Sequence, residues 1–163
     1  MNYALAPITD EDRDSIIDIF NHYVENSFAA YPETKLPYEA FDKFTQMFQG
    51  YPNATVKDNE GKLIGFGFLR TYNPFSTFSH TAEISYFLSP IYTGKGIGTV
   101  LLNYLIEEGK RKGITNILAN ISSLNLGSII FHKKNGFREC GRFENIGLKN
   151  QRKFDVIWMQ RII

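Results

Sequence analysis

The chain has 163 residues, enough for one domain with a true hydrophobic core. Its 43% hydrophobic content is ordinary for a globular protein, and a net charge of +1 gives no electrostatic basis for binding nucleic acid or an anionic membrane. The apolar runs are too short to span a bilayer, "MNYALAPITDEDRD" lacks the basic start and apolar core of a signal peptide, and a single cysteine excludes an internal disulfide, so a cytoplasmic protein is expected.

"NYALAPI" reads as an edge strand. Thr9, with Asp12 three residues on, is a capping-box variant, and Ile16, Phe20, Tyr23 and Val24 recur at the spacing of an amphipathic helix. "AAYPETKLP" is a loop, and a second helix is expected from about Tyr38 to Gln49, ended by "GYPN". "ATVKD", "NEGK" and "LIGFGFLR" form a strand, a turn and a strand. Gly65 and Gly67 fall on one face, where a helix or a ligand can lie close. After the loop "TYNPFSTFSH", "TAEISYFLS" alternates as a strand. "SPIYTGKGIG" then opens a helix whose stripe is Ile97, Leu101, Tyr104 and Leu105. "ITNILANIS" is a strand, "LNLGSIIFHKKNG" a short helix capped by Gly136, and "FRECGRFENIGL" and "RKFDVIWMQRI" are final strands. The order βααβββαβαββ predicts an α/β protein with a mixed sheet and helices on both faces.

Gly94, Gly96 and Gly98 occupy alternate positions at the start of that helix. A simple turn needs one glycine, not three in five residues. The stretch is not GxxxxGK[ST], and it lacks the third glycine of a dinucleotide fingerprint. Free N–H groups at a helix start, with the helix dipole, suit a pyrophosphate, and Lys95 adds a mobile positive charge.

"TGKGIG" resembles the coenzyme A loop of the GCN5-related N-acetyltransferase (GNAT) superfamily, although Thr93 stands where that loop normally opens with Gln or Arg. "NISSLNLGSIIFHKKNGF" further resembles the Asn-x-x-Ser-x-x-x-His-x-x-x-Gly-Phe segment of its phosphinothricin-type acetyltransferases, with Asn125, Ser128, His132, Gly136 and Phe137 in register. "TAEISYFLSP" is similar to that subgroup's Thr-Val-Glu strand and places Glu83 at its carboxylate. "NHYVENS" and the Lys149-to-Asp155 spacing also correspond.

The resemblance implies a single GNAT domain over residues 1–163 that moves acetyl from acetyl-CoA, a co-substrate, directly to a small-molecule amine, with no metal. It also implies a homodimer. The coenzyme would lie along Phe87, Leu88, Thr93, Gly94, Lys95, Gly96, Ile97 and Gly98, with Asn125 on the pantetheine amides and Ser128 near the phosphates. A backbone N–H near Phe87 or Leu88 would hold the developing oxyanion. An alkyl ammonium must lose a proton before attack, so Glu83 is a candidate general base, acting through water. The alternative for Glu83 is a structural carboxylate held by backbone or by an arginine. His132 is a candidate donor to the leaving thiolate, or a packed structural histidine. Asn125 could equally be a helix N-cap, and Ser128 an exposed helical serine. Cys140 reads as a small core residue rather than a nucleophile. His22 either faces the pocket or lies on the helix surface.

The subgroup's "Arg-x-Ala-Tyr" stretch is replaced here by Phe75, Ser76, Thr77 and Phe78, and Lys153 stands where the subgroup has Trp. Phe75, Phe78 and Tyr31 are therefore expected to make an apolar substrate wall that favours a less polar amine over phosphinothricin or methionine sulfoximine. A clamp restored by Arg70 or Lys153 is the alternative. Two other functions compete: a coenzyme A-binding sensor without turnover, and acetylation of a protein or peptide.

Overall fold

The computed structural model describes residues 3–163. Seven strands form one mixed sheet in the order β1-β2-β3-β4-β5-β7-β6: β1 (Tyr3–Ala6), β2 (Asn53–Asp58), β3 (Leu63–Thr71), β4 (Thr81–Leu88), β5 (Asn116–Ser122), β6 (Arg138–Lys149) and β7 (Arg152–Ile162). Four helices join them: α1 (Arg13–Asn26), α2 (Phe41–Met47), α3 (Ile97–Arg111) and α4 (Leu126–Lys134). The order is the expected βααβββαβαββ. Asn2, where the first strand was expected to begin, lies outside the described residues. The second helix is shorter than its pattern suggested, because Tyr38–Ala40 form a 3-10 turn and α2 stops at Met47.

Local sequence explains the helix ends. The Thr9 N–H donates to Asp12 Oδ2 at 2.9 Å, and buried Asp12 is neutralised by Lys57 at 2.8 Å, fixing the entry to α1. Gly136 closes α4 with φ +82°. Its N–H donates to the Lys133 carbonyl while the Phe137 N–H donates to His132, an arrangement only a left-handed residue completes.

Each sheet face carries its own core. Beneath α3 and α4 lies a mainly aliphatic layer that includes Val56, Ile64, Leu69, Leu101, Leu105, Ile117 and Met159. Beneath α1 and α2 the layer is aromatic, with Phe41, Phe48, Phe66 and Phe68 around Ile16 and Ile17. Gly67 admits α3: a Cβ there would stand 3.2 Å from both Leu101 and Leu105, and 2.7 Å from the Tyr86 Cβ. A helix and a neighbouring strand, not a ligand, occupy the space those glycines clear.

The feature that makes a site is a split in the sheet. β4 and β5 are the parallel pair, and their ladder runs only from Thr81–Asn116 to Glu83–Leu118. Beyond it β5 continues against β7 as far as Ser122–Val156, while β4 stays with β3. The edges Ile84–Leu88 and Ala119–Ser122 therefore diverge.

Candidate active site

A cavity of about 980 Å³ fills that split and reaches from the glycine loop to the segment after α1. Ile84 to Leu88 form one wall, Ala119 to Ser122 the other, and Asn125, Gly127, Ser128, Phe131, His132 and Lys134 close it from α4.

At one end the wall is main chain. Gly94 and Gly96 have φ of +72° and +82°, and a Cβ at either would meet nothing within 4 Å. The loop is thus wound in a left-handed conformation that faces open space. No backbone acceptor among the described residues engages the N–H groups of Gly94, Lys95 or Gly96, and those of Ile97 and Gly98 are orphaned by their place in the first turn of α3. Such a row of donors fits a pyrophosphate. The side chains contribute less than expected. Ile97 is buried in the core, Lys95 Nζ lies 5.2 Å over the Tyr92 ring, and the Thr93 hydroxyl donates to the Pro90 carbonyl at 2.8 Å. Asn125 lines the cavity, and its Oδ1 accepts from the Ser128 N–H at 3.3 Å as the cap of α4.

Beside this cradle stands a buried histidine. His132 Nδ1 lies 2.7 Å from the Ser128 carbonyl, which can only accept, so the ring proton sits on Nδ1. Nε2 then accepts the Tyr86 hydroxyl proton at 2.6 Å. Burial lowers the His132 pKa, only partly opposed by the Ser128 bond, and burial also raises Tyr86 well above an ordinary tyrosine. With this tautomer the Nδ1 proton is committed to a carbonyl, which favours the packed structural histidine of the two alternatives over the donor to a leaving thiolate.

The other end is built from side chains of four distant segments. Arg70 and Glu83 are directly opposite in the β3–β4 ladder and so share the α1 face. Arg70 Nη2 donates to Glu83 Oε2 at 2.5 Å. Arg70 lines the cavity, whereas Glu83, 12% exposed, lies behind it. The Tyr31 hydroxyl donates to Asn120 Oδ1 at 2.9 Å across the split, and burial together with the Glu83 charge pushes its pKa up to about 12. Tyr31 is held by an unusual anchor. Lys149 is buried, and its Nζ donates to the carbonyls of Val24, Ser27 and Ala30 at 2.6–2.8 Å, pinning the end of α1 and the segment that leads to Tyr31. Phe87 and Leu88 join the two ends: Phe87 packs its ring against Phe20 and Phe66, and the Leu88 carbonyl accepts from the Tyr23 hydroxyl at 2.6 Å.

Three further expectations change. Phe75 and Phe78 do not line the cavity. They sit in and beside a 3-10 turn between β3 and β4, 69% and 40% exposed, so Tyr31 alone of the expected apolar wall faces the pocket. Cys140 is exposed on the outer strand β6 rather than in the core, because β6 has no strand beyond it. Lys153 is exposed and away from the cavity. His22, exposed, borders the cavity from α1. Arg70 as the partner of Glu83, together with Tyr86, Asn120 and Lys134, was not singled out from sequence.

Comparison with known proteins adds an independent line. Residues 16–137 match the family described as "Acetyltransferase (GNAT) family". The L-methionine sulfoximine/L-methionine sulfone acetyltransferase of Pseudomonas aeruginosa is 33% identical over 153 residues, covering 91% of this chain and 88% of that protein. A phosphinothricin acetyltransferase from Sinorhizobium meliloti, solved in complex with AcCoA, superposes with a TM-score of 0.93 at 30% identity, covering 100% of this chain and 89% of that one. The ribosomal-protein-alanine N-acetyltransferase from Brucella melitensis superposes with a TM-score of 0.89 at 31% identity, covering 98% and 99%.

Proposed function

The chain belongs to the acetyltransferase (GNAT) family, and we propose that it transfers acetyl from acetyl-CoA directly to the primary amine of a small molecule, an amino acid or an analogue of one. The observation that carries this reading is the split between β4 and β5, with unclaimed N–H donors at one end and a paired carboxylate at the other. Acetyl-CoA, when bound, supplies an acyl group already activated as a thioester. The N–H groups of Gly94 to Gly98 hold its pyrophosphate, Asn125 and Ser128 lie along its arm, and Lys134 adds charge. The β4 edge at Phe87 and Leu88 supplies the backbone donor for the oxyanion.

The chain's own chemistry is then proton removal and placement. Glu83 takes the proton of the ammonium. Because Arg70 lies between it and the cavity, that transfer runs through a water. The neutral amine nitrogen bonds the acetyl carbon and gives up its second proton to solvent, the carbon–sulfur bond breaks, and the thiolate takes a proton from solvent. His132 holds the Tyr86 hydroxyl in place beside this gap.

The same reading takes residues 1–163 as one acetyltransferase domain acting in the cytoplasm as a homodimer. Phe143, Ile146 and Leu148, exposed on the outer strand β6, support the dimer.

Free-thiol release from acetyl-CoA over amino acids, polyamines, aminoglycosides and peptides tests the function. Turnover with a small amine is expected. Coenzyme binding without thiol release from any of them would make the protein a sensor, and turnover confined to peptides would make it a protein acetyltransferase.

A further inference from the structure

Of Phe87 and Leu88, only one turns its peptide groups toward the split. The Ser89 N–H donates to the Ile64 carbonyl at 2.8 Å, on the β3 side. Successive residues of a strand bond toward opposite edges, so Phe87 also bonds toward β3, and the Leu88 N–H and carbonyl face the gap that β5 has left. From Ile84 to Leu88 this edge has a strand on one side only. Among the described residues, one side chain bonds its main chain: the Tyr23 hydroxyl, which donates to the Leu88 carbonyl at 2.6 Å.

Tyr23 is itself fixed along its length. Its ring lies 5.4 Å from that of Phe87, and its carbonyl ends α1 by accepting the Ser27 N–H and hydroxyl at 3.1 and 2.9 Å. Lys149 holds the neighbouring Val24 carbonyl. On the opposite face of the sheet Leu88 lies flat on Gly65, where a Cβ would overlap Leu88 Cδ2. Burial raises the Tyr23 pKa above that of an ordinary tyrosine, so the hydroxyl keeps its proton near neutral pH. A phenylalanine would fill the same space against Phe87. What the hydroxyl adds is the bond to Leu88.

We propose that Tyr23 is a positioning residue for acyl transfer: its hydroxyl ties the open β4 edge to the end of α1 and holds the Leu88 N–H where the thioester oxygen becomes an oxyanion. Tyr23 gives up no proton and touches no reacting atom. The proposal rests on the acetyl-transfer reading and adds how a strand with one free edge is kept still. An oxyanion donor works because it is in place before charge develops, and a misplacement of about 1 Å is enough to cost a large factor in rate.

The test compares wild type with Tyr23→Phe, which keeps the ring and removes the bond. The variant's kcat is expected to fall about tenfold, less than the roughly hundredfold or greater loss that follows removal of an oxyanion donor, with KM for the amine and affinity for acetyl-CoA nearly unchanged. The second readout is the infrared carbonyl stretch of acetyl-CoA, carbon-13 labelled at the acetyl carbonyl and bound without acceptor. In wild type the band is expected below its position for free acetyl-CoA, because the Leu88 N–H polarises the bond, and in Tyr23→Phe it is expected to move back toward the free value. A general loosening of the fold would lower stability without moving the band. An unchanged kcat, or a fall in kcat with the band unmoved, would overturn the proposal. The spectrum needs no turnover, so it separates this failure from that of acetyl transfer. Should no amine be acetylated, a lowered band that reverts in Tyr23→Phe would still support the tie, and a wild-type band at the free value would refute it.

Discussion

The two ends of the cavity are made in different ways. At the end proposed for the coenzyme, five consecutive residues offer unclaimed backbone N–H groups, while Ile97 points into the core and Lys95 lies over Tyr92. The acceptor end is the reverse. Arg70, Glu83, Tyr31 and Asn120 come from two adjacent strands, a third across the split, and a loop held by Lys149. A main-chain cradle depends on backbone conformation and tolerates most side-chain changes. A side-chain site depends on pairs, and changing one member disturbs its partner. The first end suits a reactant that is always the same, and the second can be retuned one residue at a time.

The contrast breaks most sharply at Gly96. Gly96→Val places a β-branched side chain at φ +82° and fills the space left for phosphate, so acetyl-CoA affinity is expected to fall below detection by calorimetry while circular dichroism still shows a folded chain. Glu83→Gln acts at the other end. It is expected to lower kcat by about 10²–10⁴ with coenzyme affinity unchanged, and the deficit should shrink as pH rises and more of the amine is already neutral. Full activity of this variant at neutral pH would assign proton removal to water alone.

Lys149→Met tests whether the acceptor end is held from a distance. Three carbonyls lose a buried donor, so unfolding free energy is expected to drop by about 2–4 kcal/mol in urea titration, with KM for the amine raised more than KM for acetyl-CoA. An unchanged amine KM would show that Tyr31 holds its place without this anchor.

The smallest effect lies between the two ends. Burial lowers the His132 pKa in the folded state, so around the ordinary histidine value of about 6.5 the unfolded chain binds more protons. The stability that depends on neutral His132 is present above that value and lost as pH falls through it. Wild-type Tm should therefore decline toward pH 5 more steeply than that of His132→Asn, and parallel profiles would contradict the assignment. Tyr86→Phe, which leaves Nε2 without its donor, is expected to cost about 1–2 kcal/mol at neutral pH.

How much could be read in advance follows the same division. The element order, the glycine cradle, the Asn125 cap and the Gly136 stop are local in sequence, and each carries its own physical signature. The Arg70–Glu83 pair is not local, although the hairpin register places the two opposite and counting along it would have found them. Tyr86 is one aromatic in an alternating strand, and nothing in the chain near it announces His132, which is 46 residues away. Phe75 replaces the first residue of the subgroup's "Arg-x-Ala-Tyr" stretch, but a position in a loop does not fix where its side chain lies. The intervening segment folds outward as a 3-10 turn, and five positions earlier Arg70, not Phe75, lines the cavity.

That one split in the sheet receives both reactants is tested most directly by a crystal structure of the complex with acetyl-CoA. The pyrophosphate is expected within hydrogen-bond distance of the N–H groups of Gly94 to Gly98, and the thioester between the edges Ile84–Leu88 and Ala119–Ser122, on the side that opens toward Arg70. A coenzyme bound with its thioester outside that gap would contradict the assignment of every residue named here.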